Sequence, residues 1–593
     1  MRKIYKALVV GSGAAAYSCA DWLYKEGVDD IAIVTENRLS GTSRNTGSDK
    51  QTYYKLSMDG FTADSPYKMA KDMFSGGSCD GVKMYLEAVN SRKCFLRLCE
   101  YGVGFPTDEY GGYPGYKTDH DDTVRATSVG PLTSKMMTEK LEKVVLEKNG
   151  TALLDNKLVI KILTHDNRAY GVRVLDTITE TEENIYAENV ICATGAPACI
   201  YEDSVYPLSQ HGMTGVLIDA GVRMCNFTQW QYGMASVDFR WNVSGSFMQV
   251  IPCFVSTDEN GAEYEFLKDY FDDIHKAYSY VFLKGYQWPF SFGRAEESSL
   301  IDSAVHSEML KGRRVYLDYR KNPEGFEFEK LSDEAKEYIT ATGCMADTPI
   351  ERLRRLNSKA IDVYLRQGID ISREMLRIAV CAQHNNGGVY TDNNFQTEID
   401  SLYVIGEASG SFGLTRPGGS ALNDTQISGL VCARHIKNKN ADSFDIDVTE
   451  EIEETDFQLD AEADYSYLRK KMSQVASFRR DYEGCVSLLG EVGEILASYP
   501  RKHRSLYDYY RDRDMLISMK ALLEAIVSEL PETGSRGGAV FIKDGVTVKE
   551  NPYYRDFLTV TGNGKTEFIR VSPVPFGQKP FEFYLNGIDE NKM

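Results

Sequence analysis

Ala7-Leu8-Val9-Val10-Gly11-Ser12-Gly13-Ala14-Ala15-Ala16, with Ile31-Ala32-Ile33-Val34-Thr35-Glu36 behind it, reads as strand, glycine turn, helix and strand. Gly11, Gly13 and Ala16 fit the turn that lets backbone approach a pyrophosphate. The free N–H groups of the helix start, Ala14 and Ala15 among them, and the positive end of its dipole then face the anion. Glu36 stands twenty residues beyond Ala16, the usual distance for an acid that binds a ribose hydroxyl. A glycine turn alone also fits an unrelated α/β fold, so the reading needs support from elsewhere in the chain.

Two distant segments supply it. Ala193-Thr194-Gly195 closes an apolar strand, and Tyr403-Val404-Ile405-Gly406-Glu407-Ala408 leads into Arg416-Pro417-Gly418-Gly419-Ser420-Ala421-Leu422. The second segment again builds a strand, a glycine-rich loop and a helix start. An extended dinucleotide needs an adenosine site, a pyrophosphate site and a cradle for its redox ring, so three such elements favour FAD over NAD.

The expected fold is α/β: a Rossmann-like FAD-binding domain with an inserted α+β capping domain and a mainly helical C-terminal domain. Apolar spacing predicts two helices over residues 65 to 101, broken at Ser75-Gly76-Gly77-Ser78. Short β-rich runs between 151 and 194 predict a meander that returns to the first sheet. From 236 to 345 the sequence turns aromatic and irregular, as expected of an insertion covering a site, and the nucleotide-type signature resumes only after 380. The FAD-binding domain is accordingly expected over 1–235 and 346–440, the cap over 236–345, a solvated acidic linker over 441–464, and the helical domain over 465–593.

Composition narrows the function. The 593 residues carry 67 Lys plus Arg against 87 Asp plus Glu, a net charge of -20 without a basic patch. Nucleic acid and anionic membrane are poor partners for such a chain. The 12 cysteines include no Cys-x-x-Cys pair, so zinc, haem and iron-sulfur centres are not expected, and a reducing cytoplasm fits. Neither a secretion signal nor an apolar run of about 18 residues is seen, so no transmembrane segment is expected.

Further motifs lie in order along the chain: Gly41-Thr42-Ser43-Arg44-Asn45-Thr46-Gly47, Asp64-Ser65-Pro66-Tyr67, Gly102-Val103-Gly104-Phe105, His211-Gly212-Met213-Thr214-Gly215, Val315-Tyr316-Leu317-Asp318, the His384 to Gly388 segment and Ser535-Arg536-Gly537. With the elements above, the chain resembles the flavoprotein subunits of fumarate reductase and succinate dehydrogenase, a group that also contains L-aspartate oxidase. The resemblance implies that Ser43, Arg44, Thr46 and Gly47 lie in the flavin loop and that Glu407 holds the ribityl chain. It also implies that backbone N–H groups near Ser420, Ala421 and Leu422 face the flavin pyrimidine. Members with covalent flavin carry a histidine where Arg44 stands, so the FAD is expected to be non-covalent.

The substrate side departs from the family. Gln229-Trp230-Gln231-Tyr232-Gly233 replaces Gln-x-His-Pro-Thr-Gly, which puts Gln231 at the dicarboxylate-binding histidine. Glu297-Ser298-Ser299 replaces Pro-Arg-Asp, removing the proton-donating arginine. Arg294, four residues before Ser298, is either its substitute or a surface arginine. Gln383-His384-Asn385-Asn386-Gly387-Gly388 moves the family's histidine one residue closer to the glycines. His384 is a proton carrier or a structural histidine bonded to a loop carbonyl. Arg416 matches a substrate carboxylate ligand, the alternative being a brace for the flavin loop. Trp230, Trp241 and Trp288 line an aromatic pocket or are simply core.

The expected function is FAD-dependent hydride transfer between flavin N5 and carbon, reducing an activated C=C bond of a small molecule other than fumarate, or the reverse. An amine or amino-acid oxidase similar to L-aspartate oxidase is the alternative, as is an electron-transfer flavoprotein subunit of a larger complex. The electron donor or acceptor stays open, a separate redox protein being one choice.

Overall fold

A computed structural model describes residues 3–439, 451–452, 455–499 and 502–575. Residues 441–450 and 453–454 of the expected acidic linker therefore lie outside the described residues.

Five parallel strands form the central sheet in the order Leu402–Val404, Val190–Cys192, Ala7–Val10, Ile31–Val34 and Ala152–Leu154. Both faces of these strands are covered, which is why they are apolar runs rather than alternating ones. Helix Ala14–Lys25 packs on helix Ser420–Asn438. Their approach is close: a Cβ added at Gly429 would lie 2.9 Å from the Cys19 backbone nitrogen. The meander is Lys157–His165, Arg168–Asp176 and Glu182–Ala187, antiparallel, and the chain then re-enters the first sheet at Val190. The two predicted helices are Pro66–Phe74 and Gly81–Glu100, whose first turns are capped by the Ser65 and Asp80 side chains.

The expected cap over 236–345 shares a sheet with strands on either side of it. Its six-stranded sheet runs Trp241–Asn242, Trp230–Ser236, Leu376–Asn385, Arg314–Asp318, Cys253–Thr257, Glu263–Tyr264, so boundaries at 236 and 345 would cut it. The aromatic, irregular composition marks the interior of the insertion. Its first and last long strands, Trp230–Ser236 and Leu376–Asn385, are buried along nearly their whole length and lack the irregular aromatic composition. The C-terminal part is helical through Ser466–Val475, Tyr482–Ala497 and Leu506–Thr533. Beyond that it turns to strands: Phe557–Gly562 pairs with Lys565–Arg570 and with Met224–Cys225. Among the described residues no helix is long and apolar enough to cross a membrane.

One buried feature has a pH consequence. Glu87 on Gly81–Glu100 and Asp424 on Ser420–Asn438 meet side chain to side chain. Neither Asp424 oxygen nor Glu87 Oε2 has an N–H or O–H partner. The nearby Lys83 ammonium is bonded to Thr391, 2.9 Å to its carbonyl and 2.8 Å to its hydroxyl. Two buried carboxyls side by side, with the Asn423 amide beside Glu87, favour a proton held between them. Burial raises both, Glu87 well above the ordinary range and Asp424 to about 7. An acid raised on folding stabilises fully below its unfolded pKa, and that contribution is lost as pH rises through its folded pKa. We therefore expect Asp424→Asn to be relatively more stable than the wild type at pH 8 than at pH 5. The gain is at most about 1.4 kcal/mol per pH unit between pH 4 and 7. Denaturant melts at both pH values check it; a penalty equal at the two would mean that Asp424 is an ordinary ionised carboxylate.

Candidate FAD and substrate cleft

One continuous cleft runs along the carboxyl ends of the central strands. It is lined by Gly11, Gly13, Ala14, Ala15, Glu36, Ser43, Thr46, Gly47, Ala193, Thr194, Gly195, Glu407, Ala421 and Leu422, all singled out from the sequence. Gly11 has φ +117°, and a Cβ there would lie 2.5 Å from the Ala193 carbonyl oxygen, so only glycine suits the turn. The helix after Gly13 has no side-chain cap of its own; instead the Ala14 N–H donates to Ser43 Oγ at 3.1 Å. Gly419, at φ +89°, opens the second helix start. Two glycine-led helix N-termini facing one cleft suit a long anionic dinucleotide.

Two expected cofactor residues do not line the cleft. Arg44 turns away: its guanidinium is buried, 2.9 Å from Glu142 Oε2 and over the Tyr17 ring. It pins the short helix Thr42–Asn45 to Thr133–Leu146, because a helical turn that faces Thr42, Ser43 and Thr46 to the cleft must point its remaining side chains elsewhere. Ser420 is buried at the helix start, with its hydroxyl 3.5 Å from Arg416 Nη1.

Several lining residues were not foreseen. Glu36 is met by the Tyr507 hydroxyl and the Arg511 guanidinium of Leu506–Thr533. Arg511 itself reaches the cleft; burial lowers it to about 10, so it stays charged at neutral pH. Gln210 ties the flavin loop to the third nucleotide element, accepting from Thr42 Oγ1 at 2.6 Å and donating to the Thr194 carbonyl at 2.7 Å. The Tyr206 hydroxyl donates to Glu407 Oε1, which also accepts from the Asn385 N–H at 3.0 Å. Burial raises Glu407. No short motif announces these residues; each is brought in by tertiary packing.

The end of the cleft that holds Arg416 and His384 is built by the six-stranded sheet. Strand Trp230–Ser236 pairs with Leu376–Asn385 so that Gln231 lies opposite His384. Arg416 Nη2 donates to Gln231 Oε1 at 2.8 Å and Nε to Asn386 Oδ1 at 3.3 Å. Burial lowers Arg416 only to about 10, so it is charged. His384 Nδ1 is 3.1 Å from Asn386 Oδ1, whereas Nε2 has no hydrogen-bond partner. Burial first and the Arg416 charge second push His384 well below the ordinary histidine value, leaving it neutral. Arg416 and His384 line the same cleft with Gln383, Asn242 and Trp288.

Two expected catalytic residues take other places. Gln231 is 8% exposed and outside the cleft lining, where it holds Arg416 from behind. Arg294, on the turn Phe292–Arg294, is bonded through Nη1 to Asp119 Oδ1 at 3.1 Å and also lies outside the lining. Its own carboxylate partner, unseen in local sequence, draws it aside. Trp230 and Trp241 are core at 1% and 2% exposure, while Trp288 reaches the cleft.

Residues 6–422 match the FAD binding domain family. The chain belongs to that family. It is an FAD-dependent oxidoreductase, and its fold class and resemblance stand as expected. An uncharacterized FAD-dependent oxidoreductase of Methanocaldococcus jannaschii is 24% identical over 561 residues, covering 89% of this chain and 92% of that protein. L-aspartate oxidase of Acinetobacter baylyi is 22% identical, covering 89% and 90%. A quinol fumarate reductase chain of E. coli superposes with a TM-score of 0.71 at 16% identity, covering 98% of each chain, and so shares the fold.

Proposed function

We propose that this oxidoreductase moves a hydride to or from a carbon of a monoanionic substrate, interconverting a C–C and an activated C=C bond, and that fumarate is not that substrate. Bound FAD supplies the hydride acceptor or donor at N5. The observation that carries the reading is Arg416. Its guanidinium is hydrogen-bonded to two neutral carboxamides, Gln231 and Asn386, while the carboxylates that act on it, Glu407 first and then Glu87 and Asp119, do so by charge without a hydrogen bond. A partly buried cation whose hydrogen bonds go to neutral groups favours an anionic ligand. Arg416 binds that anion and stabilises charge that develops on it, while His384 handles the proton at the adjacent carbon. A second carboxylate would lack its partners, because Gln231 is neutral and Arg294 is committed to Asp119. That cost sets the enzyme against dicarboxylates.

Arg44, turned into the protein, supports non-covalent FAD. A separate electron donor or acceptor completes each cycle, and the cysteine usage supports a cytoplasmic setting. In a stopped-flow test, the protein is reduced anaerobically and mixed with unsaturated acids. Unsaturated monocarboxylates are expected to reoxidise the flavin at least about tenfold faster than fumarate, a difference of about 1.4 kcal/mol. Fumarate turnover at ordinary enzyme rates, on the order of 10 per second, would overturn the reading. A second reading, amine or amino-acid oxidation, is favoured by the neutral His384, which suits removal of a proton from an ammonium substrate. Hydrogen peroxide formed during aerobic turnover of an amine would identify it.

A further inference from the structure

Asn386 stands between Arg416 and His384. Its backbone is held on both sides, the N–H donating to the Gln229 carbonyl at 2.8 Å and the carbonyl accepting from Phe412 at 3.3 Å. Its side-chain Nδ2 donates to the Leu414 carbonyl at 3.3 Å, and its Oδ1 accepts from Arg416 Nε at 3.3 Å. Rotating the amide by half a turn would set NH₂ against a guanidinium N–H and oxygen against a carbonyl oxygen, two repulsive contacts, so the orientation is forced. Oδ1 is therefore an acceptor, and His384 Nδ1, 3.1 Å away, must carry the ring hydrogen. We propose that Asn386 is a positioning residue that holds His384 in the Nδ1–H tautomer, so that Nε2 keeps a lone pair and the resting site is a proton acceptor.

His384 Nε2 is buried and has no donor beside it. Glu407, whose Oε1 is 3.7 Å from Nε2, favours hydrogen there, but that oxygen already accepts from Tyr206 and Asn385, and the Arg416 charge opposes a second proton on the ring. Phe412 closes an edge of the imidazole at 5.2 Å between ring centres. In the dehydrogenating direction, one substrate C–H bond gives its proton to Nε2. The neighbouring C–H bond would give its hydrogen and electron pair to FAD, which supplies the two-electron oxidation when bound, as the C=C bond forms between the two carbons, and the imidazolium left behind releases its proton to water. In the reverse direction His384 must first be protonated, so reduction weakens as pH rises. This deepens the functional reading above and rests on its placing of the substrate beside His384.

The test uses flavin-loaded protein labelled with ¹⁵N-histidine, with the His384 signals assigned by their loss in His384→Gln. The wild type is expected to show hydrogen on Nδ1 and none on Nε2. Asn386→Leu should move the hydrogen wholly or partly to Nε2 and lower kcat about 10²-fold. Asn386→Asp keeps the shape but exchanges the Nδ2–Leu414 hydrogen bond for an oxygen–oxygen contact, so circular dichroism first confirms its fold; it should then keep the tautomer. It should raise the imidazole titration and the acid limb of the kcat/KM profile by about one to three pH units. A wild-type Nε2–H tautomer, or an unchanged titration in Asn386→Asp, overturns the proposal. The expected tautomers without turnover of any tested acid would instead sink the substrate reading and leave the role of Asn386 standing.

Discussion

Gly13→Val protein is expected to purify without colour, folded and without flavin. Gly13 precedes the first turn of Ala14–Lys25 at an ordinary φ of −86°, so valine can adopt the backbone and the fold should survive. The space beyond it cannot take the side chain. An added Cβ would sit 3.1 Å from Ser43 Oγ, and the two methyl groups would extend into the cleft where helix N–H groups must meet the pyrophosphate. Ser43 would be pushed off the Ala14 N–H as well. Overpacking of this kind costs about 1 to 3 kcal/mol, and losing the close approach of an anion to a helix start costs up to about 1 more, together roughly 10- to 10³-fold in affinity. Flavin absorbance per mole of protein reads the effect, with circular dichroism as the folding control. Wild-type flavin content in a folded Gly13→Val protein would show that the pyrophosphate does not lie at this helix. In the wild type, acid precipitation should leave free FAD in the supernatant, since Arg44 faces Glu142 and not the cleft.

What the sequence reveals and what it hides divide along a physical line. The glycine turn, the strand ends and the Arg416 loop are legible because each needs particular residue types at short spacing: no Cβ at Gly11, an acid after the second strand, a helix start after Gly419. The sheet of the insertion is legible only in part. Its first and last long strands lack the irregular aromatic composition, so composition places its edges at 236 and 345, whereas pairing places Trp230 and Asn385 inside it. Arg511 and Tyr507 are invisible for another reason. They lie far along the chain from Glu36 and reach it because Leu506–Thr533 packs on Thr214–Asp219, with Tyr510 bonded to Glu182 of the meander. Arg294 shows the converse error, since an arginine near a vacated position attracts a catalytic role until its carboxylate partner, Asp119, is found. Asn386 was part of a quoted motif and yet carried no assignment, because a carboxamide acquires meaning only from what its two ends touch.

Arg416→Ala and His384→Ala should separate binding from proton transfer. Removing the Arg416 guanidinium takes away the one charge offered to the substrate anion and leaves Gln231 Oε1 without the donor it now has at 2.8 Å. Loss of a donor to developing negative charge costs about 10²- to 10³-fold, and the same group binds the ground state, so KM should rise as kcat falls. Arg416→Lys should not restore the rate, because an ammonium cannot reach Gln231, Asn386 and a substrate oxygen together from one planar fork. His384→Ala leaves Arg416 and its two carboxamides in place. It should lower kcat by about 10²- to 10⁴-fold with KM nearly unchanged, the pattern of a group that acts in the transition state. Both variants should keep their FAD, since neither side chain belongs to the glycine-led helix starts. Steady-state kinetics on the best unsaturated monoacid, with flavin content measured on the same samples, decide the matter. If His384→Ala raised KM alone, the imidazole would be a binding group; if Arg416→Ala left both constants intact, the guanidinium would be only a brace between Gln231 and Asn386.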